Sequence, residues 1–387
     1  MKKILKFTLH IMAGAILLNG AIACESNRTA DPDGLSEKET MFKAAMTPYI
    51  NNTVIPTYKG MADNAITMSE ACDDIYAAFK AGNLTSNHVK AACDAWNLCR
   101  DYWEKSEAFL YGAAADYNID PHIDSWPLDK TAMEQLLKNI RNNQSWDVAN
   151  LGFGLLGFHS VEYLLYELSA DGETSSTHSL TYTDEELQYL CAVAADLRDQ
   201  CVYLYASWTG MDNINSIYTD ILESAELEPS YDYGWGMINA GQPGSRYKTY
   251  QEAAEDLVQG CIDIADEVGN VKIGTPNKAA TESDRNYIES PYSLNSINDF
   301  VGNIISIRNC YQGSNDGDAS ISDYIKSVNA DLDSRVKSQI EKAMKAIEAI
   351  PEPFAKSATG AAADNAVQVV GTDLVNVLEE VYAALSK

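Results

Sequence analysis

The sequence is short of positive charge. Its 387 residues include 28 lysines and arginines against 56 aspartates and glutamates, which gives a formal net charge of −28 at pH 7. Proteins that bind nucleic acids neutralise phosphates with clustered lysines and arginines, so this balance argues against a nucleic-acid partner. An acidic surface instead favours cations, basic partners or simple solubility.

The chain also lacks an apolar run long enough to cross a bilayer, which takes about 20 residues. A short apolar run at residues 11–18 follows a basic start, and small residues then lead to Cys24. This order is typical of a lipoprotein signal peptide over residues 1–23. It predicts Cys24 as the lipidated first residue of the mature chain and residues 24–35 as a flexible tether. An ordinary secretory peptide with an incidental cysteine is the alternative.

A lipid anchor would place the protein in the cell envelope, on the periplasmic side of the outer membrane or at the cell surface, with no other contact with the membrane. The eight cysteines show no C-x-x-C spacing, which argues against a zinc knuckle. Those after Cys24 lie in apolar or helix-like contexts and predict mostly buried thiols. The alternative is that one or two disulfides form, because an oxidising compartment permits them.

Sustained two-residue alternation of apolar residues is also missing, whereas apolar residues recur at helical spacing over long stretches. The pattern predicts an all-α protein. The expected helices are Ser36–Ala81 with a kink or break at Pro56, Asn87–Tyr111, Lys130–Asn139, Gly154–Ser169, Asp184–Trp208, Asp212–Ser224, Tyr247–Val268, Leu294–Tyr311, Ser320–Ile350 and Ala358–Ser386. Thr183 and Glu186 have the spacing of a capping box at the start of one of them.

Residues 229–245 are rich in proline, glycine, tyrosine and tryptophan and interrupt the helical pattern. Such a stretch indicates a linker, so the chain is predicted to form two helical-bundle domains, at 36–228 and 246–387. Residues 58–76 and 250–268 have similar patterns, which leaves open a pseudo-repeat between the two halves.

Residues 152–157 match the spacing of the G-x-G-x-x-G dinucleotide fingerprint but not its structural context. That fingerprint requires a strand before it in a βαβ unit, and here a polar turn precedes the glycines. We therefore predict no dinucleotide cofactor.

His159 and Glu162 lie three residues apart in an apolar run. On a helix such a pair shares one face, about 5 to 6 Å apart between Cβ atoms, and could hold one metal ion together. The zinc motifs H-E-x-x-H and H-x-x-E-H each need a second histidine, which is missing here, so further ligands would have to come from elsewhere. The alternative is a buried hydrogen bond that fixes helix packing.

A second polar face recurs at helical spacing along residues 96–110 and includes Arg100 and Glu107. Arg100 could simply pair with Glu104 or Glu107 inside a packed bundle. Alternatively, Glu107 is an inward carboxylate that shares a metal with His159 and Glu162. Further along, Asp129 is expected to cap a helix, although it could also line a cleft.

The segment Gly157-Phe158-His159-Ser160-Val161-Glu162 resembles the G-x-H-x-x-E signature of the imelysin-like family of iron-regulated envelope proteins and peptidases. Further blocks resemble the family in the same order, so that the similarity covers nearly the whole mature chain: residues 49–58, 100–109, 126–129 and 289–293. The resemblance implies two helical bundles with a pseudo-repeat, export to the envelope and a link to iron acquisition. It also implies that His159 and Glu162 are the metal-binding or catalytic pair.

The leading hypothesis is an envelope lipoprotein that takes part in iron uptake and binds a metal ion, iron or zinc, in a cleft between the bundles. His159 and Glu162 would be ligands and Glu107 a further one, while Arg100 orients carboxylates. The motif residues expected to shape the cleft are Gly157, Trp126, Asp129, Ser290 and Tyr292. The expected partners are the metal ion or a small ligand and envelope iron-transport proteins.

Two other functions remain open. In a metallopeptidase, Glu162 or Glu107 would act as general base on a metal-bound water, whose pKa the ion lowers. In a carbohydrate-binding or protein-binding module without catalysis, the aromatic segment Tyr231–Trp235 would supply a stacking surface.

Overall fold

Helices form nearly all the regular structure in the computed structural model, which describes residues 34–386. The α-helices are Glu37–Pro48, Ile55–Lys80, Ser86–Glu104, Ala113–Asp116, Ile119–Ile123, Lys130–Arg141, Gly157–Leu165, Asp184–Thr209, Ser216–Ser224, Tyr233–Ile238, Tyr250–Asp266, Gly274–Asn277, Glu282–Arg285, Ser296–Gln312, Ile321–Val328, Ala330–Glu348, Phe354–Ser357, Ala361–Gln368 and Val375–Leu385. Short 3-10 turns are Glu107–Phe109, Val148–Asn150, Phe153–Leu155 and Met211–Asn213. The predicted all-α class is confirmed.

Three π-helical turns interrupt the long helices, at Tyr49–Val54, Glu267–Lys272 and Val369–Leu374. The first lies inside the predicted helix Ser36–Ala81. Pro56 stands in the first turn of Ile55–Lys80, directly after this π-helical turn, so the irregularity expected near Pro56 is a local change of helix type. The chain stays in the right-handed helical region through Pro48 and Ile55.

The predicted helix Gly154–Ser169 is shorter than expected. It begins at Gly157 and ends at Leu165, and the chain then forms a two-stranded antiparallel ribbon that pairs Tyr166–Leu168 with Ser175–Thr177. The predicted capping box is confirmed: the backbone N–H of Thr183 donates to Glu186 Oε2 over 2.7 Å, and Glu186 N donates back to the Thr183 hydroxyl over 3.3 Å.

Part of the predicted linker at residues 229–245 is folded and packed. It contains the helix Tyr233–Ile238, and the ring of Tyr233 lies 5.7 Å from that of Trp208. From Glu37 onward the chain forms one compact unit. The division into two domains at residues 229–245 and the pseudo-repeat stay predictions. The predicted signal peptide and Cys24 lie outside the described residues.

The cysteines within residues 34–386 are free thiols, and all but the partly exposed Cys191 are buried. This agrees with the predicted role of small core residues. Over the same residues, no helix is both long enough and apolar enough to span a bilayer.

Candidate metal centre

Arg100 lies at the centre of a group of buried ionisable side chains that we call the buried ionic cluster. Its members are between 0 and 6% exposed: the carboxylates Glu104, Glu107, Asp124, Glu162, Glu289 and Asp299, and the basic residues Arg100, His159 and Lys272. They come from five helices or turns and two loops drawn from both halves of the sequence. A charged group this deeply buried requires a partner of opposite charge or a metal ion.

The Arg100 guanidinium contacts four carboxylates. It donates to Asp124 and, over 2.7 Å, to Glu289, and it lies 2.5 Å from Glu104 and 3.5 Å from Asp299. The side chain of Arg100 is fully buried, so these contacts, together with the Phe158 ring 5.1 Å from the guanidinium carbon, replace its contacts with water. The several N–H donors of the planar guanidinium can bind more than one carboxylate at once.

His159 lies on the helix Gly157–Leu165, close to Arg100 of the helix Ser86–Glu104. Its Nδ1 donates to Glu162 Oε2 over 3.1 Å. Its Nε2 lies 3.1 Å from Asp124 Oδ1, an ion-pair distance when the imidazole is protonated. Burial lowers the pKa of His159, but its contacts with Asp124 and Glu162 outweigh burial and raise that pKa to about 9.

The Glu162 carboxylate is already engaged on both oxygens. Its Oε1 accepts from the backbone N–H of Tyr292 over 2.9 Å and from the N–H and hydroxyl of Ser293, each over 2.7 Å. Its Oε2 accepts from His159. Glu162 therefore joins the His159 helix to the loop at residues 292–293 and orients the imidazole.

Lys272 brings the second permanent positive charge. Its ammonium lies 3.0 Å from Glu289, 3.5 Å from Glu107 and 3.8 Å from Glu104. The same ammonium lies 5.3 Å from the ring centre of Trp126, a distance at which a cation is attracted to an aromatic face.

The cluster has more acid than base: six carboxyl groups share two permanent cations and one histidine. Burial raises the pKa of Glu104 and of Glu107 well above the ordinary value and that of Asp299 to about 6. The pKa of Asp124 falls well below its usual range because the attraction of Arg100 and His159 exceeds the cost of burial. The surplus carboxyl groups must therefore either keep protons or share a further cation.

Two sets of side chains in the cluster have the geometry of a metal site. Asp124, His159 and Glu289 place one ligand atom each within 4.8 Å of one another, and so do Glu104, Glu107 and Asp124. Within the described residues, His159 Nε2 and Glu289 Oε2 of the first set and Glu104 Oε1 of the second have no hydrogen-bond partner. Mixed carboxylate and imidazole ligands suit iron and zinc, so the first set fits such an ion by its chemistry and by its unpartnered atoms.

An acidic cleft of about 360 Å³ approaches the cluster from the surface. Glu107 belongs both to its wall and to the cluster. The other charged residues of the wall are all acidic: Asp120, Asp256, Asp263 and Glu267. Burial and the nearby charge of Asp124 raise the pKa of Asp120 to about 7. A cleft lined by one sign of charge concentrates ions of the opposite sign.

The structure brings together a somewhat different set from the one expected for His159. His159 and Glu162 do share one buried helix. Asp124 and Glu289, which were not expected there, also place ligand atoms within 4.8 Å of His159, while Glu162 contacts the other ring nitrogen. Glu107 lies instead at the Lys272 side of the cluster. The roles of His159, Glu162 and Glu107 as metal ligands stay predictions.

The predicted motif residues lie around the cluster. Gly157 begins the His159 helix at φ +72°, and a Cβ there would lie 2.0 Å from the carbonyl oxygen of Ile123, so only glycine allows this approach. The ring of Trp126 lies 6.2 Å from that of His159. The Ser290 hydroxyl donates to Asp299.

Two other motif residues lie at the edge of the cluster. Tyr292 donates its backbone N–H to Glu162, and its ring lies 4.9 Å from that of Tyr163. Asp129 accepts a hydrogen bond from Ala132 N over 2.9 Å at the start of Lys130–Arg141. Asp129 is thus a helix cap, as its structural interpretation predicted.

Sequence reasoning missed Asp124, Lys272, Glu289 and Asp299 as members of the site. Asp124 and Glu289 each stand at or beside a block that resembles the family, and a search of those blocks for acidic residues would have found them. Lys272 had no such signal, because nothing in the sequence near it shows that it lies buried.

Comparison with known proteins identifies the family. The family model described as Imelysin matches residues 54–384. Iron-regulated protein A of Synechococcus elongatus is 29% identical over 313 residues, which cover 79% of this chain and 75% of the relative. The crystal structure of a putative iron-regulated protein A precursor from Parabacteroides distasonis superposes with a TM-score of 0.75 at 27% identity, over 90% of this chain and 96% of that one.

An imelysin-like protein from Psychrobacter arcticum 273-4 shares the fold alone, with a TM-score of 0.57 at 12% identity over 90% of this chain and 93% of that one. Because the family model covers most of the sequence, the chain belongs to the imelysin family.

Proposed function

We propose that this member of the imelysin family binds one metal ion, in the first place iron, at Asp124, His159 and Glu289. The observation that carries the proposal is the excess of buried carboxyl groups together with two ligand atoms that have no hydrogen-bond partner, His159 Nε2 and Glu289 Oε2. A bound cation would supply the missing positive charge. It would also give those atoms a partner, which a buried polar atom normally has.

The surrounding residues would hold the ligands in place. Asp124 receives hydrogen bonds from Arg100 and, over 2.7 Å, from Trp103 Nε1. Glu162 orients His159 from its other ring nitrogen, in the way that carboxylates beside metal-binding histidines do. His159 must release a proton to become a ligand, because only a neutral imidazole binds a metal.

Iron is the first choice of metal because two relatives are named iron-regulated protein A. The donor set alone suits zinc as well. The acidic cleft that reaches Glu107 offers a path by which a cation could approach the buried site.

The test is metal binding by wild type and by His159→Ala, with His122→Ala as the matched control. His122 pairs with Asp196 over 2.8 Å outside the cluster. We expect Fe²⁺, added without oxygen, to raise the melting temperature of wild type and of His122→Ala, since an ion that binds only the folded state stabilises it. His159→Ala should show no such rise. The proposal fails if all three proteins respond alike to Fe²⁺, Fe³⁺ and Zn²⁺.

The metallopeptidase alternative has less support. A general base must be free to take a proton from water, whereas Glu162 already accepts hydrogen bonds on both oxygens. Glu107 makes an ion pair with Lys272. Cleavage of a peptide that stops when a chelator removes the metal would favour the peptidase.

We also propose that the protein lies in the cell envelope on a lipid attached to Cys24, where a link to iron uptake would be expected. The support is the order of basic, apolar and small residues before Cys24. Mass spectrometry should find a diacylglyceryl group on Cys24, and normal processing and membrane attachment of Cys24→Ala would contradict the anchor.

A further inference from the structure

We infer that Lys272 acts as a built-in second cation that limits the metal centre to one ion. The inference rests on the proposed function, because it concerns the number of ions that the same cluster accepts.

The cluster contains two overlapping sets of ligand atoms rather than one. Asp124 belongs to both, with His159 and Glu289 on one side and with Glu104 and Glu107 on the other. Two ligand sets that share a carboxylate are the arrangement from which two-metal sites are built. The ligands alone would therefore be compatible with two neighbouring ions.

The ammonium of Lys272 lies against the second set. Its Nζ is 3.5 Å from Glu107 and 3.8 Å from Glu104, two of the three members of that set. It also lies 3.0 Å from Glu289 of the first set. A positive charge in this position already neutralises the carboxylates that a second ion would need, and it would repel that ion.

The fold holds Lys272 in this position. Lys272 ends the π-helical turn Glu267–Lys272, and its side chain is 1% exposed. Gly269 in the same turn packs against Gly371 so closely that a Cβ on Gly269 would lie 2.2 Å from the Gly371 Cα atom. This close backbone contact holds the turn at whose end the side chain of Lys272 is buried.

Trp126 also holds the side chain of Lys272 in position. The Nζ lies 5.3 Å from the centre of the Trp126 ring, and Trp126 stands beside His159. The Trp126 ring and the carboxylates of Glu104, Glu107 and Glu289 therefore surround the ammonium in place of water. Lys272 is a residue that sets how many ions bind, not a metal ligand.

The test counts metal ions in wild type, Lys272→Met and the control Lys130→Met. Methionine keeps most of the length of lysine without its charge. Lys130 also lies near aromatic rings, 5.4 Å from Tyr163 and 5.0 Å from Tyr292, but outside the cluster. Each folded protein is loaded with Fe²⁺ without oxygen, dialysed and measured by elemental analysis. We expect one ion per chain in wild type and Lys130→Met and two in Lys272→Met.

A double variant locates the additional ion. Lys272→Met with Glu107→Gln removes a ligand of the second set together with the lysine, so it should return to one ion per chain. It also removes one negative charge with the positive one, which favours folding if Lys272→Met alone is unstable.

The outcomes separate the two proposals. No ion in wild type would overturn the proposed function and this inference with it. One ion in wild type and one in folded Lys272→Met would overturn the inference alone. Two ions in wild type would also overturn it, even if no Lys272 variant folds, and so would two ions in the double variant.

Discussion

Two arginines of this protein make several ion pairs each, in opposite surroundings. Arg335 binds both oxygens of Glu380, over 2.8 and 2.7 Å, and Asp331 over 3.0 Å, and its side chain is 40% exposed. Arg100 contacts four carboxylates and is fully buried. The hydrogen-bond chemistry is the same, but water screens the first group and not the second.

The difference lies in what happens to surplus charge. At the surface, extra carboxylates are hydrated, and an ion pair is worth about 0 to 1 kcal/mol. In the interior, the attraction between buried charges does not reliably repay the cost of removing them from water. A cluster with six carboxyl groups and three basic ones is therefore a poor way to stabilise a fold, and a binding role accounts for it better.

The largest effect that would sharpen this comparison is expected from Arg100→Met. Removing one member of a buried ion-pair group leaves charges without a partner, and we expect a loss of about 3 to 5 kcal/mol in the free energy of unfolding. Arg335→Met should lose less than about 1 kcal/mol. Urea unfolding of the three metal-free proteins measures both values.

The comparison would break if the two arginine variants lost similar amounts of stability. In that case the carboxyl groups around Arg100 would bind protons at almost no cost, and the cluster would not need a cation.

A smaller effect should appear in the pH dependence of stability. The pKa of His159 is about 9 in the folded protein, above about 6.5 for an unfolded histidine. Its protonation therefore stabilises the metal-free fold fully below pH 6.5, and this contribution is lost as the pH rises through 9. The size is about 3 kcal/mol.

The measurement is urea unfolding of metal-free wild type and His159→Gln between pH 6 and 10. The difference in unfolding free energy between the two proteins should shrink as the pH rises from 6.5 to 9. A difference that stays constant over this range would show that His159 is neutral in the folded protein, and the positive charge of the cluster would then rest on Arg100 and Lys272 alone.

Much of the fold could be predicted because it depends on local patterns. Apolar spacing predicted the long helices, and the spacing of Thr183 and Glu186 predicted where one of them begins. The two-stranded ribbon after Leu165 was not predictable in this way, because strands of three residues are too short to show alternation. The packing of residues 229–245 could not be read from a local pattern because it depends on distant contacts such as Tyr233 with Trp208.

The site could be predicted only where its members are close in the sequence. His159 and Glu162 are three residues apart, so helical geometry alone joins them. Glu289 reaches Arg100, and Lys272 reaches Glu104 and Glu107, from more than 150 residues away along the chain, and no local pattern encodes such a contact. Asp124 needed the same knowledge, since its neighbours Arg100 and His159 come from other helices.

The smallest expected effect concerns the two aspartates at the ends of the segment 124–129. Asp124 is buried in the cluster, whereas Asp129 is exposed and caps Lys130–Arg141 through Ala132 N. Asparagine caps a helix about as well as aspartate, whereas alanine loses about 1 kcal/mol. We therefore expect Asp129→Asn to keep wild-type stability and Asp129→Ala to lose about 1 kcal/mol in urea unfolding, with Fe²⁺ binding unchanged in both. If Asp129→Asn weakened Fe²⁺ binding as Asp124→Asn should, the charge of Asp129 would belong to the metal site, and the line drawn between buried and surface carboxylates would be wrong at this residue.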